Sequence, residues 1–234
     1  LSFDNKFEFL NDFISKLISI IITPISNIRG SAQLLQKIES KNTEFYEIII
    51  NEVEKLSNFI RIFKNKPINL QKTKTNFNIH EIIRTSIKNL DTLIIKRINL
   101  IENFDPSLPN VLLNKKEMVI LLENLITNSL ESISKENGYI KISTSYYFGE
   151  IQNIPNIKKS ISSNFILIEI EDNGEGIREE FNNQIFFPFF STKDKKGLGL
   201  YQAKKIALEN DCEVQFQSLN NLTIFKIWIP IDGK

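Results

Sequence analysis

The sequence predicts an α+β protein: a helical hairpin followed by a layered domain with helices on one face of a mixed sheet. Two patterns carry this. Through the first third, apolar residues recur at gaps of mostly three and four, the seam of long helices packed in a bundle. Further on, helical stretches are interleaved with short runs that alternate apolar and polar residues, as half-buried strands do. The clearest such run, Ile168-Glu169-Ile170-Glu171, leads into Asp172-Asn173-Gly174-Glu175-Gly176-Ile177. Glycines around one residue let backbone approach a flat ligand, and the preceding carboxylate can accept a hydrogen bond from it. The same residues also suit a strand-ending turn for backbone reasons alone.

The 234 residues fit one large or two modest domains, and 41% hydrophobic with 24% charged residues is ordinary globular material. A formal charge of +1 argues against a broad grip on nucleic acid. The single cysteine, Cys212, excludes an internal disulfide and fits a reducing compartment. No apolar run reaches the ~18 residues of a bilayer span, and no signal peptide is visible, so a cytoplasmic location is expected. The chain opens on Leu1 and its only methionine is Met118, which leads us to expect further sequence upstream.

The first helix carries Phe3, Phe7, Leu10, Ile14, Leu17, Ile21, Ile25, Ile28, Ala32 and Leu35 as its seam, with Pro24 inside it as a local kink. Ser15, Ser19, Thr23 and Ser26 form a polar stripe off that seam. After a polar loop, a second helix carries Phe45, Ile49, Val53, Leu56, Ile60 and Phe63, and Pro67 ends it. Two such helices cannot close a core, whereas two hairpins make a four-helix bundle, so a homodimer is expected. The hairpin therefore occupies residues 1–67, a linker 68–75 and an α/β domain 76–234.

In that domain Phe77 and Ile79 suggest a short strand, His80 to Ile95 a helix, and Ile98 to Phe104 a strand. Asn114 with Glu117 is a capping pair opening a helix through Met118, Leu121, Leu122, Leu125 and Ser129. Strands are expected at Tyr139–Tyr147 and Phe165–Glu171, with an excursion between them. A helix from Leu198 to Asn210 and strands near Val214–Phe216 and Thr223–Ile229 complete the chain.

Asn124 and Asn128 lie four apart and face the same way on their helix. One reading makes them helix-to-loop hydrogen-bonding groups; the other makes Asn128 an oxygen ligand for Mg²⁺ on nucleotide phosphates. Phe186-Phe187-Pro188-Phe189-Phe190-Ser191-Thr192-Lys193 precedes Gly197-Leu198-Gly199-Leu200 and the last helix. Glycine-backed amides at a helix start suit phosphate. No Gly-x-x-x-x-Gly-Lys-Ser/Thr loop occurs, which excludes a Walker-type NTPase.

Asn124-x-x-x-Asn128, Asp172-x-Gly174-x-Gly176, Phe189-Phe190-Ser191-Thr192-Lys193 and Gly197-Leu198-Gly199-Leu200, in this order, resemble the N, G1, F and G2 boxes of histidine-kinase ATP-binding domains. Ile28-Arg29-Gly30-Ser31-Ala32-Gln33-Leu34-Leu35 and Asp105-Pro106-Ser107-Leu108-Pro109 resemble the nitrogen-regulation (NtrB) type in particular. The resemblance implies a dimerisation hairpin followed by a Bergerat-type (GHKL) ATP-binding α/β sandwich, with ATP and Mg²⁺ as cofactors. It implies that Asp172 binds the adenine amine, Asn128 the magnesium, and Gly197 and Gly199 the phosphates, with Lys193 a phosphate contact in a lid. It also implies a response-regulator receiver domain, of NtrC type, as partner. Relatives that hydrolyse ATP carry a glutamate where this chain has Asn124, and Glu123 points ~140° away from Asn128, which disfavours a plain ATPase.

The pattern breaks at the phosphoacceptor. These kinases carry His-Glu-x-x-Asn/Thr-Pro on the first helix; aligned on Pro24, this chain has Ser19 for the histidine, Ile20 for the glutamate and Thr23 for the Asn/Thr. A serine hydroxyl is a weak nucleophile without a neighbouring base, so ordinary autophosphorylation is not expected. The single histidine, His80, is expected as a surface or capping residue. The family resemblance gives Thr23 a role in positioning the water that dephosphorylates the receiver aspartate. Three readings follow: an ATP-binding kinase homologue with a compromised kinase reaction, a response-regulator phosphatase or ATP-gated scaffold, and a serine protein kinase of the same superfold, which Asn124 disfavours.

Overall fold

The computed structural model describes residues 3–37, 43–63, 74–90, 98–134, 137–148, 164–193 and 197–231. The chain divides into two compact units, one from Leu1–Gln71 and one from Lys72–Lys193 with Gly197–Lys234.

The first unit is a pair of helices, α1 (Phe3–Lys37) and α2 (Thr43–Phe63). Helix α1 runs through Pro24 without ending. Where side chains are described, the covered stripe of α1 is Leu17, Ile21, Pro24, Ile28, Ser31 and Leu35, a strict four–three alternation. It departs from the expected seam at two places: Pro24 and Ser31 are covered, while Ile25 and Ala32 are exposed. Helix α2 behaves likewise, with Glu52 buried and Val53 exposed. Helical geometry rather than side-chain polarity sets which positions meet the neighbouring helix. The displaced Ile25 and Val53 fall on second stripes, with Ile18 and Ile22 on α1 and with Tyr46 and Ile50 on α2, all about half exposed.

The second unit holds a five-stranded sheet in the order β2-β4-β5-β7-β6, where β2 is Asn99–Asn103, β4 Tyr139–Phe148, β5 Asn164–Asp172, β6 Glu213–Leu219 and β7 Leu222–Pro230. β2 is parallel to β4 and the other pairings are antiparallel, so the sheet is mixed, as expected. A separate two-stranded ladder joins β1 (Thr75–Phe77) to β3 (Val111–Leu113). Ile79 opens α3 (Ile79–Asn89) instead of extending the strand. The helix expected to reach Ile95 ends at Asn89, with Leu90 extended as its cap, and Phe148, expected to open an excursion over 148–163, closes β4; positions 91–95, the rest of that excursion and most of the expected 68–75 linker lie outside the described residues.

Helices α3, α4 (Lys115–Ser132) and α5 (Gly199–Glu209) pack on one face of the sheet. Asn114 caps α4 as expected, its Oδ1 accepting from the amides of Lys116 and Glu117. Glu117 does not close a capping box; it accepts from Asn210 Nδ2 at 2.7 Å, tying the start of α4 to the end of α5. Ile166, Ile168 and Ile170 of β5 meet Leu121, Leu122 and Leu125 of α4 in one core, and burying each such side chain contributes about 1.5–3 kcal/mol. On the other face Phe165, Leu167 and Trp228 form a separate small cluster.

Candidate functional site

Strand parity places the first functional group. Side chains along a strand alternate between faces, and Asp172 follows Ile166, Ile168 and Ile170 at steps of two, so its carboxylate turns toward the helices. It is fully buried there. Thr223 stands opposite it on β7, and Ile140 opposite it on β4.

Asp172 Oδ1 accepts from the Gly174 amide at 3.0 Å and from Ser132 Oγ at 2.8 Å. The Ser132 hydroxyl is also 2.8 Å from the Ser129 carbonyl, so its one hydrogen is shared between two acceptors. Asp172 Oδ2 is buried and has no hydrogen-bond partner. An unpaired buried acceptor costs free energy, and burial accordingly pushes the Asp172 carboxyl above its usual range; the Ser129 and Ser132 hydroxyls, the Gly174 amide and the Lys193 charge oppose that rise. The turn is locked around this carboxylate. The Glu175 amide donates to the Ser132 carbonyl at 3.0 Å, and Asn173 accepts from the Tyr139 amide at 2.9 Å. A Cβ on Gly174 would lie 2.0 Å from Ser132 Oγ and 2.6 Å from Ser132 O, so only glycine lets the turn sit against the end of α4. Gly176 adopts φ +77 and packs on the tip of the β6–β7 hairpin at Asn221.

On α4, Asn124 Nδ2 donates to the Ile120 carbonyl at 2.9 Å and contacts Gln202 Oε1 at 3.4 Å. Gly199 packs against the Asn124 amide, with a Cβ there 3.1 Å from Oδ1. The first and last motifs therefore meet through α4 and α5. Asn128, half-buried, makes no hydrogen bond to another described residue, which leaves its amide oxygen fit to be a hard-cation ligand. Glu123 accepts from Asn89 of α3 at 2.8 Å, on another face of α4. Leu198 supplies no side-chain cap to the first turn of α5. Gly197 (φ +61) passes so close to Phe190 that a Cβ would lie 2.4 Å from its carbonyl oxygen. Phe189 (φ +66) is buried, and Phe190 packs on Phe181 with centroids 5.2 Å apart. Lys193 donates to the Glu131 carbonyl at the end of α4, on the Asp172 side.

In the hairpin Ser19 and Thr23 are both exposed, and Thr23 Oγ1 donates to the Ser19 carbonyl at 2.9 Å. His80 lies apart from all of this. Its amide is capped by Asn78, its Nε2 is 3.0 Å from Thr144 Oγ1, and its ring stacks on Phe104 at 4.8 Å. The histidine is a structural contact at a helix start.

Residues 114–233 match the family described as histidine kinase-, DNA gyrase B-, and HSP90-like ATPase. The chain belongs to that family. Its second unit is the ATP-binding α/β domain of the GHKL type, and its relatives are sensor histidine kinases of the NtrB type. The sensory histidine kinase/phosphatase NtrB of Azospirillum brasilense is 30% identical, over 89% of this chain and 52% of the relative. The chain thus spans roughly half to three-fifths of the length of the curated relatives it matches. Among solved structures, the catalytic domain of histidine kinase ThkA is 27% identical with a TM-score of 0.53, covering 67% of this chain and 95% of that one. The structure of ThkA in complex with response regulator protein TrrA shares the fold over 97% of this chain and 63% of that one, at 23% identity and a TM-score of 0.57. Among the described residues no helix is long and apolar enough to cross a membrane.

The site fits the family's nucleotide: the orphaned Asp172 Oδ2 is the acceptor that an exocyclic amine requires. Ser129 and Ser132 were not singled out as site residues from sequence. Their signal was there, since both are hydroxyls on the side of an otherwise apolar helix that meets the sheet.

Proposed function

We propose that this chain is the dimerising, ATP-binding part of a sensor histidine kinase/phosphatase homologue that acts on a response regulator of NtrC type. Its ordinary kinase reaction is compromised, and its surviving chemistry is dephosphorylation of the receiver. The observation that carries the nucleotide half of this reading is the buried, partnerless Oδ2 of Asp172. Asp172 takes the adenine amine, Asn128 holds Mg²⁺, and the amides around Gly197, Leu198, Gly199 and Leu200 take the phosphates, with Lys193 closing on them from the lid. Asn124 holds Gly199 and Gln202 in place. A bound Mg²⁺ supplies charge neutralisation on the phosphates.

Ser19 has no base beside it, because Ile20 occupies the next position, so its hydroxyl stays protonated and weakly nucleophilic. Thr23 differs. Its hydrogen is committed to the Ser19 carbonyl, which leaves the oxygen lone pairs on an exposed face free to accept a hydrogen from water. A water oriented in this way adds to the phosphorus of the receiver's aspartyl phosphate. The phosphorus–oxygen bond to the aspartate breaks, leaving the carboxylate and inorganic phosphate. The exposed stripes Ile18, Ile22, Ile25 and Tyr46, Ile50, Val53 support burial against a second hairpin in a four-helix homodimer.

The test incubates the purified protein with γ-labelled ATP and Mg²⁺, then adds phosphorylated receiver. No acid-labile label forms on the chain, and receiver phosphate is lost faster than in the receiver alone, an acceleration that Thr23→Ala removes. Acid-labile label on the wild-type chain overturns the kinase part of the reading. Absence of ATP binding in calorimetry overturns the whole.

A further inference from the structure

Helix α4 orders the proposed site along its axis. Asn124, Asn128 and Ser132 stand four residues apart on one face, and each step advances about 6 Å, at about 1.5 Å per residue. Ser132 bonds to Asp172, so the base belongs at that end. Asn128 stands between, and Asn124 marks the far end, where α5 comes against α4 through Gly199 and Gln202. A nucleotide laid along this face with its base at Asp172 turns its outermost phosphate toward Asn124 and Gln202.

The hydrogen bonds at that end settle which way each amide points. An amide NH₂ only donates and a backbone carbonyl only accepts. Asn124 Nδ2 donates to the Ile120 carbonyl at 2.9 Å, and its remaining hydrogen faces the Gln202 amide at 3.4 Å. The Gln202 atom opposite a donor is its oxygen, Oε1. The Gln202 NH₂ group is therefore turned away from Asn124, and it donates to no described residue. It is carried by a half-buried side chain in the first turn of α5, a turn that Leu198 leaves without a side-chain cap.

We infer that Gln202 distinguishes ATP from ADP, its NH₂ group donating to the terminal phosphate while Asn124 holds its oxygen. This rests on the proposed ATP site. The glycines and leucines beside it offer phosphate only backbone amides, whereas Gln202 brings a side-chain donor. Asn124 acts as a positioning residue: by occupying Oε1 it fixes the direction in which the NH₂ group points. A carboxamide neither takes up nor releases a proton, so this contact holds the phosphate without activating water against it.

The test is calorimetric titration of the whole chain with Mg²⁺ and either ATP or ADP, repeated for Gln202→Glu and Gln202→Met. Glutamate keeps the oxygen that Asn124 needs and loses the NH₂ group; methionine loses both at similar length. Wild type is expected to bind ATP about tenfold or more tightly than ADP, the worth of one hydrogen bond to a charged group. Both variants are expected to lose that margin through weaker binding of ATP, Gln202→Glu the further because its charge repels the phosphate. Equal binding of ATP and ADP by the wild type, which needs no variant to fold, refutes the inference. So does a wild-type preference retained in Gln202→Glu, the result expected of a residue that only holds Asn124. An equal loss of both nucleotides in Gln202→Met refutes it as well. If the wild type binds neither nucleotide, the ATP reading itself has failed, and that outcome is distinct because no heat appears with either.

Discussion

Asp172→Asn is the substitution most diagnostic of this site. Asparagine keeps an oxygen at Oδ1, where Ser132 and Gly174 donate, and puts an NH₂ donor where Oδ2 was an acceptor. A hydrogen bond to a charged acceptor contributes about 1.5–3 kcal/mol, and facing the adenine amine with another buried donor adds the desolvation of an unpaired group, about 1–3 kcal/mol. The sum, about 2.5–6 kcal/mol, is at least about fiftyfold in affinity. Calorimetry with ATP measures it. Stability moves separately. Burial raises the carboxyl of Asp172 in the folded state, so the folded form binds that proton more tightly than the unfolded chain. The stability this contributes is complete below the unfolded value of ~3.9 and is lost as pH rises through the raised folded value. Urea unfolding at several pH values is therefore expected to show the variant gaining on the wild type as pH rises across that window. A folded variant that binds ATP within about threefold of wild type, by the same affinity arithmetic, refutes the assignment of Asp172.

Three further outcomes follow from the geometry. Gly174→Ala puts a Cβ 2.0 Å from Ser132 Oγ and 2.6 Å from Ser132 O, so it is expected to cost about 1–3 kcal/mol in urea unfolding; adding Ser132→Gly recovers only part, because the carbonyl oxygen remains. His80 is held below its usual value first by burial and then by Arg84, against the pull of Asp105 and Glu102. The folded state therefore resists protonation, and stability present above the unfolded value of ~6.5 is lost as pH falls below it; His80→Gln is expected to flatten the change in urea midpoint between those conditions. Ser19→His with Ile20→Glu supplies the two reacting groups that the proposed reading finds missing, and the expected readout is acid-labile label from γ-labelled ATP. ATP binding without label would show that the chain lacks more than its phosphoacceptor pair.

Much of the fold could be read from the residues because it rests on local periodicity. The 3.6-residue repeat predicted α1, α2, α4 and α5, and the two-residue repeat predicted β4, β5 and β7, each within about three residues of its observed end. β3 was missed because Val111–Leu113 is too short for any alternation to stand out. The covered stripe of the hairpin was misplaced at Pro24, Ser31 and Glu52 because hydrophobicity was read as burial, while helix geometry chose the positions.

At the site the division is sharper. That Asp172 should face the core follows from sequence alone: a strand's period of two carries it onto the face of Ile166, Ile168 and Ile170. Which groups meet it there does not follow. Ser132 is 40 positions away along the chain, and its contact with Asp172 exists only because α4 packs across β5. That packing commits one carboxylate oxygen, leaves the other and Ser129 Oγ without partners, and requires glycine at position 174. Local propensity is written into neighbouring residues, whereas pairing between distant polar groups is settled only when helix and sheet exclude water between them.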